Sequence, residues 1–221
     1  MAGGGGNAGA QVVTLRVLSI STLFPNSARP AFGQFVATQM AALAARGDVS
    51  VTMVAPIGLP PWPLSLREPF ARLARLPAVD DYQGLAVHHP RFRTMPRMGD
   101  SNPARLADAL LPLARKLHGE APFDLVDAQF FFPDGPAAAI IARELGLPLA
   151  IKARGSDIHL WGNRPAALAQ MLAAAEQSGL LLAVSQALKT DMVSLGMPED
   201  RIAVHYTGLD HSRFLPLGRK A

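Results

Sequence analysis

The chain has 221 residues, 49% hydrophobic and 17% charged, so it can bury a sizeable core and is not a disordered polymer. It has no cysteine, which excludes disulfides, thiolate zinc sites and cysteine nucleophiles and fits a reducing compartment. A formal net charge of +4 suits anionic small molecules or a lipid surface without selecting either; with two Tyr and two Trp there is no stacking platform, and no nucleic-acid partner is expected.

The opening "MAGGGGNAGA" lacks the apolar core of a signal peptide, and residues 1–11 are expected to be a flexible tail. No run of 18 apolar residues occurs, so a cytoplasmic protein is expected, at most peripheral to the inner face of a membrane. "VVTLRVLSI" (12–20) reads as a buried strand. After the loop "STLFPNSARPAF", residues Phe35, Val36, Gln39, Met40 and Leu43 recur at helical spacing, and Gly47 stops that helix. "VSVTMVAP" (49–56) is a second strand ended by Pro56.

Residues 56–83 are proline-rich and insert before the third strand. Within them Leu66, Phe70, Leu73 and Leu76 fall on one helical face, with Arg67, Arg72 and Arg75 off it. Two readings stand: a helix packed on the domain, or a peripheral membrane contact through 60–76 with Trp62 as interfacial anchor. Further strands are read at "LAVHHP", "FDLVDAQF", "LPLAIKA", "GLLLAVS" and "RIAVHY", and helices at 103–118, 135–146, 165–178 and 186–196. Several strands are apolar on both faces, as a parallel sheet covered on both sides requires. The alternation predicts one Rossmann-like, doubly wound α/β domain with a mainly parallel sheet of about seven strands.

No G-x-G-x-x-G follows a strand, and no P-loop, G-x-S-x-G elbow or zinc-spaced histidine pair is present, so no bound metal or cofactor is expected. In a doubly wound sheet, ligands sit at the carboxyl ends of the strands. The loops there are "LFPNSARPAFG", "AQFFFPDG", "KARGSD" and "SQAL", and the candidate substrate-binding residues are Phe32, Gly33, Gln129, Asp134, Gly135, Lys152, Gly155, Ser156, Asp157 and Ser185. Gly33 opens a helix whose N–H groups could face a phosphate, or it simply caps that helix. Asp134 and Ser185 read as helix N-caps, Ser185 with a hydroxyl that could also meet a ligand. Lys152 and Arg154 are expected on opposite strand faces unless the strand has ended. Each needs an anion, either Asp157 or Asp127 internally or a substrate phosphate. His88, His89 and His159 read as structural or solvent-facing.

Three segments in register resemble the N-terminal domain of GT-B glycosyltransferases of family 4. They are "FPNSARPAFGQFVATQMAALAARGDVSVTMVAP", "DLVDAQFFFPDGPAAAIIARELGLPLAIKARGSDI" and "AVSQALKTDMVSLGMPEDRIAVHYTGLDHSRFLP". The resemblance covers roughly residues 14 to 216, within an expected domain of 12–216, with 217–221 beginning a linker. It implies a Rossmann-like domain that binds a sugar or glycolipid acceptor and walls an interdomain cleft. Transfer would come from a UDP- or GDP-sugar, with retention and without a metal, the nucleotide-sugar being a substrate rather than a cofactor.

Where many members carry histidine before Gly-Ser-Asp, this chain has Arg154. A guanidinium stays charged, so as the catalytic residue it would act electrostatically or by hydrogen bonding. Gln129 stands where members often have histidine, and Thr207 precedes Gly208, Leu209 and Asp210 at the closing turn. The resemblance also implies a C-terminal Rossmann domain, in cis or in trans, that binds most of the donor and usually presents a Glu-x7-Glu pair. No two glutamates here have that spacing, so that domain is the expected partner, with little activity without it. The alternative is a stand-alone module binding a phosphosugar or lipid headgroup without catalysis.

Overall fold

The computed structural model describes residues 14–95 and 99–208. The tail, the linker and Leu209 and Asp210 of the closing turn lie outside those residues. Strand β1 (Leu15–Ile20) leads to helix α1 (Gln34–Ala44), β2 (Val49–Val54) and β3 (Ile57–Leu59). Helix α2 (Phe70–Ala74), β4 (Val79–Tyr82), β5 (Leu85–His88), β6 (Arg91–Arg93) and the long α3 (Asn102–Glu120) follow. The second half alternates regularly: β7 (Leu125–Ala128), α4 (Asp134–Leu145), β8 (Leu149–Ala153), α5 (Ser156–Trp161), α6 (Pro165–Gln177), β9 (Leu180–Ala183), α7 (Gln186–Ser194) and β10 (Ile202–Val204).

Eight strands form one sheet in the order β10-β9-β8-β7-β1-β2-β5-β4. Every neighbouring pair is parallel except β4 with β5. The seven strands read from apolar runs all lie in this sheet. The eighth, β4, carries "VDDY", whose exposed and half-buried residues alternate as suits an edge strand, and so lacks an apolar run. Outside the main sheet β3 and β6 pair in parallel, three residues each, too short to show a period.

Both faces of the sheet are covered. On one, Leu18, Ile20, Val126, Ala128 and Ile151 pack with α3, α4 and α6 residues such as Leu106, Leu110, Ile141 and Met171. On the other, Val51 and Met53 meet Val36, Ala37 and Met40 of α1. Phe35, expected on that inner face, is instead 43% exposed. The stripe at 66–76 is largely explained by packing: Leu73 and Leu76 are buried against Ile57, while α2 covers only Phe70–Ala74 and Leu66 is 66% exposed.

The strand order reverses about β1. From it the chain runs outward through β2 and then returns to the other flank at β7, so the loops after β1 and β7 diverge at a switch point. The loop after β1 folds back tightly at Gly33, where φ is +68° and a Cβ would lie 2.5 Å from the Leu23 carbonyl oxygen. Only glycine fits that approach, so Gly33 is fixed by backbone packing in addition to opening α1.

Candidate functional site

Strands β1, β7, β8 and β9 are parallel, and their carboxyl ends gather the predicted loops on one edge. Two aspartates knit this edge together. Asp157, fully buried, accepts backbone N–H bonds from Phe131 (2.7 Å), Arg154, Gly155 (2.8 Å) and Ile158 (3.1 Å). It opens α5, a helix absent from the expected loop, and ties that helix to the segment after β7. Burial pushes its pKa up and the N–H donors pull it back. Asp134 makes no cap bond to its own helix, contrary to expectation. Its Oδ2 instead accepts the Thr22 N–H at 2.8 Å, joining the loops on the two sides of the switch point. Its Oδ1 is buried without a partner, and burial raises the carboxyl to about 7.

Between these anchors lies a chain of polar side chains. Asp127 accepts the Ser19 hydroxyl at 2.9 Å and the Gln129 amide at 2.5 Å. The Gln129 side-chain oxygen accepts from Arg154 Nη2, and its backbone carbonyl from Arg154 Nε at 3.0 Å. Arg154 Nη2 also reaches Gln39 Oε1 at 3.2 Å, and the same oxygen takes Lys152 Nζ at 3.1 Å. Lys152 Nζ lies 2.6 Å from His205 Nδ1. His205 is held below its ordinary pKa by desolvation and by the two cations.

The structure decides two of the alternatives here. β8 ends at Ala153, before Arg154, so the stated exception holds: Lys152 and Arg154 do not diverge, and both reach the same glutamine oxygen. Nor does either pair directly with Asp127 or Asp157; among the described residues neither cation forms an ion pair. Burial lowers Lys152 to about 8, with Arg154 adding to the fall, and lowers Arg154 to about 10 against the fields of Asp127 and Asp157. Burial likewise raises Asp127, against its hydrogen bonds to Gln129 and Ser19. Arg154 also lies over the Phe35 ring, 5.2 Å from its centroid, and its Nη1 is buried without a partner. The cluster concentrates positive charge with donor capacity left over, suited to an anionic oxygen and not to abstracting a proton.

The remaining predicted residues divide. Gly135 is buried against Ile151 and Phe131, where a Cβ would lie 3.1 Å from Ile151 Cγ2, so packing accounts for it. Ser185 accepts the Leu188 N–H at 3.1 Å and caps α7 as expected, without a hydrogen bond to the cationic cluster. Gly155, at φ +115°, makes the turn into α5, and Ser156 is exposed beside it. His89 is buried with Nδ1 on the Ala55 carbonyl at 2.8 Å, and His159 pairs with Asp191 at the surface. Gln39 and His205 were not among the predicted site residues. The available signal for Gln39 was a polar residue recurring at the apolar spacing of α1.

Phe32 lines a neighbouring cleft of about 280 Å³, together with Thr22, Phe24 and Pro133. Among the described residues no group of three or more His, Asp or Glu could hold a metal ion.

Sheet order and polar edge together define a Rossmann-like lobe of the GT-B type. The model of Glycosyltransferase Family 4 matches residues 33–213, and the chain belongs to that family. It is 26% identical over 185 residues to Bacillus subtilis TuaC, whose name assigns it to teichuronic acid biosynthesis as a glycosyltransferase; the match takes 82% of this chain and 47% of that one. Among solved structures, Anabaena HepE in complex with UDP and glucose matches 90% of this chain and 46% of its own, with TM-score 0.55 and 17% identity. Sucrose-phosphate synthase from Thermosynechococcus elongatus matches 92% of this chain and 50% of its own, with TM-score 0.62 and 13% identity. The chain thus spans about half the length of these relatives.

Proposed function

We propose that this domain is the acceptor side of a retaining glycosyltransferase that draws a sugar from a UDP- or GDP-linked donor. A second Rossmann lobe, in cis or in trans, would bind most of that donor, and the domain alone would turn over little. One observation carries the reading: a family 4 domain holds Lys152 and Arg154 together on Gln39 at the switch-point edge, with Arg154 Nη1 unpartnered. Positive charge there would stabilise the diphosphate leaving group as its bond to the sugar breaks. Transfer without a metal fits the engagement of Asp127 by Ser19 and Gln129 and of Asp157 by backbone N–H groups.

The test is transfer from a UDP-sugar in a protein that includes the second lobe. Arg154→Ala should lower kcat/KM about tenfold or more. Arg164→Ala, which removes only a stacking contact on Trp161, should leave it unchanged. Full transfer by residues 1–221 alone, or an Arg154→Ala protein at the normal rate, would count against the reading.

Peripheral membrane contact belongs to the same proposal. Trp62 (77%), Leu66 (66%) and Leu64 (45%) stand exposed next to Arg67, Arg72 and Arg75. Vesicles containing phosphatidylglycerol should sediment the protein at low salt, and reversing the three arginines together should abolish this. Wild-type protein left in the supernatant would exclude the contact. Among the described residues no helix is long and apolar enough to cross a membrane.

A further inference from the structure

We propose that the 280 Å³ cleft beside β1 is a subsite for an acidic sugar, whose carboxylate or phosphate is taken by Arg29. The identification of that sugar as acceptor rests on the transfer reading above.

Among the described residues Arg29 is the one charged residue lining the cleft. Among the described residues its guanidinium has no ion pair and no hydrogen-bonded partner; its recorded contact is the Phe32 ring, 5.7 Å from the centroid. A half-buried cation over an aromatic ring, at the mouth of a cavity, retains all its donors for an incoming anion. Its backbone is held in place. Asn26 Oδ1 accepts the N–H groups of Ala28 (3.1 Å) and Arg29 (2.9 Å), and the Arg29 N–H also meets the Asn26 carbonyl at 3.0 Å. The cation is therefore partly pre-organised, which lowers the ordering cost on binding.

The rest of the lining suits a pyranose ring. Phe92 and Phe32 offer apolar faces, and Thr94, Asn102 and Asn26 offer polar groups for hydroxyls. A second cleft, of about 260 Å³, shares Phe24 and Asn26 with it. It is lined by Asp80 and Asp81, and neither forms an ion pair with Arg29. Two adjoining cavities thus carry opposite charge, and an anion is steered to the one that holds Arg29.

The test titrates the isotope-labelled 221-residue chain with methyl glucuronide, glucose 6-phosphate, methyl glucoside and inorganic phosphate, following the backbone amides of Arg29, Phe32 and Thr94. At least one acidic sugar should bind saturably at those amides, about tenfold more tightly than methyl glucoside. Whichever acidic sugar binds more tightly identifies the acid group. Arg29→Gln should remove the preference and Arg29→Lys should retain part of it, with the amide spectrum elsewhere unchanged. The proposal is overturned by the absence of saturable shifts, by methyl glucoside binding as well as both acidic sugars, or by unchanged binding in Arg29→Gln. Inorganic phosphate binding as tightly as either acidic sugar also overturns it, since the ring would then contribute nothing. No donor is present, so the outcome is independent of transfer: acidic-sugar binding can persist where transfer fails, and the reverse.

Discussion

Replacing Asp157 with alanine is expected to destabilise the domain by about 4 kcal/mol, because buried backbone donors lose their shared acceptor. That corresponds to a fall in Tm of roughly 8 to 16 °C for a domain of this size. The loss should exceed an ordinary cap deletion because the carboxylate serves two elements, the start of α5 and the Phe131 segment after β7. Asp157→Asn keeps one acceptor oxygen and should cost roughly half as much. Urea denaturation of the three proteins measures both values. An alanine variant within about 1 kcal/mol of wild type would show that water replaces the carboxylate and that the strand-end loops do not depend on it.

Stability should also fall as pH rises from about 4 to 7, with Asp134 as a principal source. In the unfolded chain its carboxyl ionises near 3.8, whereas burial in the folded domain moves it to about 7. Below both values each state is protonated and the stabilisation is complete. Between them the unfolded state releases its proton first, and stability declines with pH; above about 7 the loss is complete, at about 4 kcal/mol for this group. Asp134→Asn still offers an oxygen to Thr22 N–H but cannot ionise. Denaturation at pH 5 and pH 8 should show a clear drop in wild type and a much smaller one in the variant, with the variant the more stable at pH 8. Asp127 and Asp157 are also raised by burial, so the difference between the two proteins isolates Asp134. Parallel pH profiles would mean that the Asp134 carboxyl is not buried in solution.

The main sheet was legible where side chains were apolar on both faces, as in "LAIKA", all five residues of which are buried. Its edge strand "VDDY" was not legible, nor was "RFR" in the separate two-stranded pair, because there pairing comes from neighbours and no local pattern announces it. The strand-end loops could be named because parallel strands fix which ends face together. Partnerships within them could not be named, since Gln39 and Lys152 are 113 positions apart and meet only through packing of α1 on the sheet. Asp134 shows the limit of local chemistry. An aspartate at a helix start reads as a cap, but here a longer-range acceptor role for the Thr22 N–H takes precedence.

Placing β1 at the middle of the sheet has a consequence for biogenesis. Ser19 and Asp127, bonded across the central pair of strands, are 108 positions apart. At ribosomal rates of about 5 to 20 residues per second, the nascent chain carries β1 for roughly 5 to 20 seconds before its second neighbour is made. During that interval the strand has an open hydrogen-bonding edge, a template on which another chain could pair.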